Sequence, residues 1–180
     1  MRHLIIGLTV GLVMVMANMA YGATNGSSTA TVDATITPQL VMSLSAGTYS
    51  MGALPIGGAN EQNNALGVVV SSNVDYNIKV KSDYAYPKEY VTAAVAYATD
   101  TTRTVQYPLK CKETAQGTLV AISATEGTIQ GCSDLEHTGN AGVTTNIDYG
   151  QEIGYLDEAL PDGRTYHLVL TFSVYQNALE

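Results

Sequence analysis

Cys111, Cys132 and His137 are the residues whose types could hold a soft metal, two thiolates and an imidazole in one stretch of chain. They offer no fourth obvious ligand and no Cys-x-x-Cys spacing, and a tetrahedral zinc site needs both more donors and tighter spacing. No metal is expected. The other chemistry open to two cysteines is a Cys111–Cys132 disulfide, which depends on the compartment. Catalytic candidates are sparse. His137 sits in a polar Gly/Asn loop, and His167 reads as an exposed residue of the last strand. Neither Gly-x-Ser-x-Gly nor His-Glu-x-x-His occurs in the sequence, so no nucleophile elbow or zinc-protease helix can be drawn. Asp157, Glu158 and Asp162 could supply paired carboxylates for glycosidic chemistry or oxygens for calcium. They lack the ligand spacing of an EF-hand loop, and an acidic surface turn explains them more economically. The run Gly52-Ala53-Leu54-Pro55-Ile56-Gly57-Gly58 lacks the Gly-Lys-Ser/Thr ending of a phosphate loop and reads as a turn. No catalytic residue and no cofactor is expected.

Tyrosine is the unusual feature, at 12 residues against one Phe and no Trp. Tyr84, Tyr86 and Tyr90 cluster around Pro87, with Tyr97 close behind. Tyrosine gives rigid contact area with a polar tip, so Tyr84, Tyr86 and Tyr90 are candidate interface residues. The alternative is that they fill half-buried strand positions.

The elements that must position these groups follow from composition and patterning. The chain has 180 residues, 16 acidic and 8 basic side chains and a formal charge of −8. Scattered basic residues in an acidic chain do not make a nucleic-acid face, which needs clustered Lys and Arg. Only 13% of residues are charged, against a usual quarter. Arg2 and His3, the apolar stretch Leu4 to Met16 and the Ala20-Tyr21-Gly22 site form the order of a secretory signal, with cleavage expected before Ala23. The apolar run falls short of the roughly 20 residues that cross a bilayer, and no membrane span is expected in the mature form. The expectation is a signal peptide over 1–22 and one domain over 23–180, secreted, at the cell surface or in the periplasm. Export favours the disulfide, which would close a loop worth about 3 kcal/mol in the chain-entropy account.

Period-two alternation marks half-buried strands because successive side chains point to opposite faces. Ala30, Val32, Ala34 and Ile36 alternate with Thr and Asp, and Leu40, Met42 and Leu44 continue after Pro38. Proline cannot donate to a ladder, so the pattern predicts two segments, 28–37 and 39–45. Leu66, Val68 and Val70 followed by Tyr76, Ile78 and Val80 read as a hairpin turning at 71–75. Further strands are expected at 91–97, 105–111, 119–122, 147–149 and 153–155. One long final strand is expected over 166–174, and mostly loop over 126–146. Helical periodicity is nearly absent. About seven to ten short strands predict an all-β fold, an antiparallel immunoglobulin-like β-sandwich.

The Thr-rich strand after the leader, the Gly-Ala-Leu-Pro-Ile-Gly-Gly turn and Val-Val-Val-Ser-Ser-Asn-Val-Asp-Tyr come in that order. Leu-Pro-Asp-Gly-Arg-Thr-Tyr-His-Leu-Val-Leu-Thr-Phe-Ser-Val closes the chain. Together they resemble the small secreted immunoglobulin-like β-sandwiches of microbial surfaces, pilin-like or filament and coat subunits. The resemblance covers about 23–82 and 155–176. The sequence has no Trp-x-Leu motif and no early cysteine pair. The resemblance implies a non-enzymatic structural or adhesive surface component. Self-association, or pairing with another surface protein, would run through the N-terminal strand knobs Ala30, Val32, Ala34 and Ile36. That strand could equally pair within its own domain. A secreted carbohydrate-binding module with a glycan partner is the alternative, and a secreted hydrolase resting on the scattered acids is a third.

Overall fold

The computed structural model describes Asp33, Ala34 and residues 36–177. Every described strand lies within the unit Ile36–Glu180. The leader lies outside the described residues, as do Ala30 and Val32 of the first expected strand.

All strand pairs are antiparallel. One sheet holds five strands: β1 (Leu40–Leu44), β2 (Glu61–Ser72), β9 (Gly139–Gly150), β6 (Lys110–Glu113) and β7 (Val120–Ala121), in that spatial order. A second has the order β11 (Leu170–Gln176), β3 (Tyr76–Ser82) and β8 (Gly127–Thr128). A third, smaller sheet has the order β10 (Arg164–His167), β4 (Lys88–Val91) and β5 (Ala96–Tyr97). Among the described residues eleven strands exceed the seven to ten expected, because β5, β7 and β8 are two-residue pieces. The all-β, antiparallel, sandwich-like expectation holds.

The core lies between the first two sheets. Leu66, Val68 and Val70 of β2, Ile147 and Tyr149 of β9 and Cys111 of β6 pack with Ile78 and Val80 of β3. Ile122, Ile129 and Cys132, from the segment that links the sheets, complete the cluster. Two interdigitating inner faces of this kind are the standard way to bury alternating strands.

The expected hairpin over 66–80 is not formed. β2 and β3 belong to different sheets, and the chain at 73–75 carries it across the core. Val70 and Ile78 therefore join one core cluster from two different sheets rather than lying side by side in one. Alternation specifies which face is buried and is silent on the partner.

The expected loop over 126–146 is also corrected. Its second half belongs to β9, paired with β2 from Glu61↔Gly150 to Ser72↔Gly139. Threonine suits a strand, and the glycines fit an irregular register. Gly142 has φ 70°, and a Cβ there would come within 2.8 Å of the Ser71 hydroxyl.

β2 begins in the polar stretch Glu61-Gln62-Asn63-Asn64. Asn64, at φ 51°, makes the irregularity between Gln62 and Leu66. Its amide donates to the Asp148 carboxylate at 2.7 Å, and the Thr114 hydroxyl donates to the same oxygen at 2.7 Å. Asp148 is only 1% exposed, so the bulge supplies hydrogen bonds that its burial requires.

The single final strand is two, β10 and β11, separated by Leu168 and Val169 and placed in different sheets. The 91–97 segment folds as β4, a 3-10 turn at Thr92–Ala94 and β5. The expected strand at 153–155 is absent. No helix among the described residues is long and apolar enough to cross a membrane.

Candidate functional site

The residues whose types suggested metal or acid–base chemistry do not converge. His137 is exposed and bonds through its amide to the Asp75 carboxylate at 2.9 Å. No group of three or more metal-type side chains gathers among the described residues. Asp157 works as a turn former, its two oxygens accepting from the amides of Gln106 and Gly154 at 2.7 Å each. Glu158 accepts from Arg103 Nε at 2.7 Å, and Asp162 is exposed.

Cys111 and Cys132 are both buried in the core, and the structure leaves them unbonded. The disulfide expected from the sequence is not formed in it. Burial pushes the Cys111 thiol up to about 12. Burial, then the nearby Glu113 and Cys111, push Cys132 to about 12. Thiols held this far above their ordinary range are poor nucleophiles and poor metal ligands. A cavity of about 80 Å³ adjoins Cys111, lined also by Val80, Ile122 and Ile129. Ligand pockets usually reach roughly 300–1,000 Å³.

Two surfaces stand out instead. The first is one flank of the sandwich. β1 and β11 are each the last strand of their sheet and lie beside one another. The inward side chains Leu170, Phe172 and Val174 of β11 pair in register with Ser82, Val80 and Ile78 of β3. The β3 side chains are buried, whereas their β11 neighbours are only half-buried. Leu40 and Met42 of β1 are half-buried too, and Leu44 is exposed. Among the described residues no strand pairs with the outer edge of β11. Upstream, Ala34 is exposed and Ile36 is 81% exposed.

The second surface is the small sheet. Alternation along β4 puts Glu89 and Val91 on one face and Lys88 and Tyr90 on the other. Antiparallel partners share a face, so Tyr97 of β5 and Thr165 and His167 of β10 join Lys88 and Tyr90. The Glu89 side chain is completely buried. The Thr101 hydroxyl donates to it, Arg164 Nη1 donates at 2.6 Å, and Arg103 stands 3.8 Å away. Arg164 is itself held by Asp100 through two bonds, at 3.1 and 2.8 Å. The Thr101 bond first and Arg164 second hold the Glu89 carboxyl below its ordinary value, against the opposing effect of burial.

The opposite face carries the tyrosines. Tyr90 stacks on His167 with ring centres 4.4 Å apart. Tyr97 stands edge-on to Tyr90 at 5.5 Å and to Tyr84 at 4.8 Å. Its hydroxyl donates to Asp83, and burial followed by that bond raises its pKa. The Lys88 ammonium sits 5.0 Å over Tyr84 and 5.9 Å from Tyr97, the geometry of a cation–π contact. Of the three tyrosines named from the sequence, Tyr84 and Tyr90 meet through Tyr97. Tyr86 is exposed and pairs with no ring among the described residues. Sequence reading took His167 for an exposed strand residue, whereas it is half-buried against Tyr90, and it missed Lys88 and the Glu89–Arg164 pair. The one available signal was the mixed run Lys88-Glu89-Tyr90-Val91, where charged and apolar residues fail to alternate cleanly.

No protein-family model matches the chain, and no curated protein matches it.

Proposed function

We propose that the chain is an exported, non-enzymatic structural protein of the cell surface, an immunoglobulin-like subunit that assembles with copies of itself through its N-terminal strand. The half-buried row Leu170, Phe172 and Val174 beside an unpaired strand edge carries this reading. An exposed edge above unfinished core is a template for an added strand. Residues 28–37 have the matching period, with Ala30, Val32, Ala34 and Ile36 as knobs. Head-to-tail exchange of that kind builds open filaments. Removing residues 23–37 should leave a folded domain that no longer assembles, and the free 23–37 peptide should raise its melting temperature. A full mature chain that stays monomeric at high concentration and at the cell surface would overturn the proposal and leave the segment as an edge strand of its own domain.

Export also bears on the cysteines. At a thiol pKa of about 12 the thiolate fraction at neutral pH is on the order of one in 10⁵, too small for efficient exchange. Oxidation by a disulfide-carrying oxidoreductase, taking two electrons and two protons from the pair, must therefore precede closure of the core. Mature protein isolated from the cell surface should carry the Cys111–Cys132 bond on non-reducing peptide mapping. Two thiols that alkylate only after unfolding would refute the bond and place the chain among proteins that fold reduced.

A further inference from the structure

We infer that the loop at 45–60 is a seat for the opposite end of a second copy of this chain, so that assembled subunits stack end to end. This rests on the assembly reading above and adds the direction of the donated strand and the surface its owner leans on. The two ends of the five-stranded sheet differ in kind. Residues 37–39 lead into β1, 73–75 leave β2 and 134–138 lead into β9, and the register puts all three at one end. They carry Asp75, Asp134 and Glu136 and no lysine or arginine. At the other end lies the connection from β1 to β2. Ser45 to Asn60 holds no charged side chain, and loops of this length without strands of their own are mostly functional. It exposes Tyr49 and Ile56 yet is firmly held. The Gly57 amide donates to the Ile153 carbonyl at 2.9 Å, and Asn60 Nδ2 donates to the carbonyls of Pro55 and Gln151 at 3.1 and 3.0 Å. The turn after Ile153 extends the apolar surface with Tyr155 and Leu156, 89% and 79% exposed. An ordered apolar surface of this kind marks a contact site.

The occupant follows from how the N-terminal segment leaves its own domain. Asn73 Oδ1 accepts from the Gln39 amide at 2.7 Å, and its Nδ2 donates to the Thr37 carbonyl at 3.1 Å. The chain is thus tied to the acidic end of its own domain as far as Thr37, and no linker separates that end from a strand formed by residues 28–37. A neighbour that receives the strand along β11 must also receive the acidic end. Two directions are open. Parallel addition puts Thr37 beside Gln176, where the next amide, Asn177, donates to the Asp75 carbonyl. The acidic ends of both copies would then face one another, which like charge opposes. Antiparallel addition puts Thr37 beside Leu170, at the end of the flank where β1 finishes in exposed Leu44 and the uncharged loop begins. The small sheet, which follows Ser82 and precedes Leu170, mixes Lys88 and Arg164 with its acids. Every described strand pair is antiparallel, and that pairing is slightly the more stable. In copies of net charge −8, contact is favoured where one side has no charge to repel the other.

The test is sedimentation of the full mature protein over a concentration series, beside binding of the free 23–37 peptide to the chain that lacks it. Ile56→Asp should weaken self-association about tenfold or more, because it sets a carboxylate against the acidic end of the next copy. Ile56→Lys should weaken it less. Neither should alter peptide binding, since the peptide brings no domain with it. Matching thermal melts establish that each variant is folded, and if Ile56→Asp fails that check, Ala53→Asp replaces it. Direction is read separately. Copies carrying Ile36→Cys should join through a short bismaleimide to copies carrying Thr171→Cys, and not to copies carrying Gln176→Cys, about 17 Å further along the strand. Self-association indifferent to Ile56→Asp, equal losses in the Asp and Lys variants, or cross-linking at 176 alone overturns the inference and leaves the assembly reading standing. Loss of peptide binding in Ile56→Asp overturns it too, by placing the loop within the strand site. A mature chain that stays monomeric and a peptide that does not bind would overturn both.

Discussion

The two flanks of the sandwich are finished by different means. Where β7 and β8 meet, the linking segment is bonded to both sheets through its backbone. Ile122 donates to Leu109 and Glu113 to Gln130 on the five-stranded side, while Ile129 donates to Ile78 and Ile78 to Cys132 on the other. Ile122 and Ile129 are then 4% and 2% exposed, and Cys132 is wholly buried. Where β1 and β11 meet, no such segment intervenes among the described residues, and the side chains stop half-buried. A core needs backbone as well as apolar side chains to seal it, because an open sheet edge leaves polar groups that only water or another strand can satisfy. The closed flank behaves as interior. The open flank has the character of an interface.

The largest break in this comparison is expected from neighbouring positions that differ only in flank. Val174 pairs directly with Ile78. Ile78→Ala should cost about 2–5 kcal/mol, the usual range for a fully buried aliphatic. Val174→Ala in the isolated subunit should cost less than about 1 kcal/mol, since the deleted groups are already partly in water. Urea unfolding of both variants measures the difference. If a strand from a neighbour covers the flank, the Val174→Ala penalty should grow in the assembled state while that of Ile78→Ala stays level. Equal penalties in the isolated subunit would abolish the distinction.

The small sheet gives a second, pH-dependent contrast. The Glu89 carboxyl is held below its ordinary 4.5 when folded, so it binds protons less readily in the native state than in the unfolded one. Its contribution to stability is therefore complete above about pH 4.5 and is lost as pH falls through the lower folded value. Glu89→Gln removes one side of a buried ion pair and leaves Arg164 with Asp100 alone, a destabilising change at neutral pH. Thermal melts between pH 7 and pH 3 should show a shallower acid limb in that variant than in the parent chain. An identical limb would mean that other carboxylates govern the acid response.

Much of this was legible in the residues, for identifiable reasons. Alternation at Leu66, Val68 and Val70, and at Ile78 and Val80, correctly marked buried faces, since period two is a local property of the strand. What it could not carry was pairing, and so the strands read as one hairpin turned out to face each other across the core. The 139–146 half of β9 was invisible because its glycines and threonines carry no apolar alternation. Its place is fixed by β2 beside it. The tyrosine cluster was legible as composition. Its place on the face opposite Glu89 was not, because Glu89 is fixed by Arg164, 75 residues away.

The smallest effect concerns β1, and it separates the two faces of an edge strand. Val41 and Met42 are adjacent. Val41 is 65% exposed, whereas Met42 packs half-buried against the core. Val41→Thr keeps the β-branched shape a strand favours and should change stability by no more than about 0.5 kcal/mol, in the subunit and in any assembly. Met42→Ala should cost more than that in the subunit and more again once a neighbour's strand covers the flank, because the cavity left then has no water to fill it. Four denaturation curves, two variants in two states, decide the point. A Met42→Ala penalty indifferent to assembly, with Val41→Thr the sensitive one, would place the contact between copies on the outer face of the five-stranded sheet. The open flank would then be a frayed edge with no partner of its own.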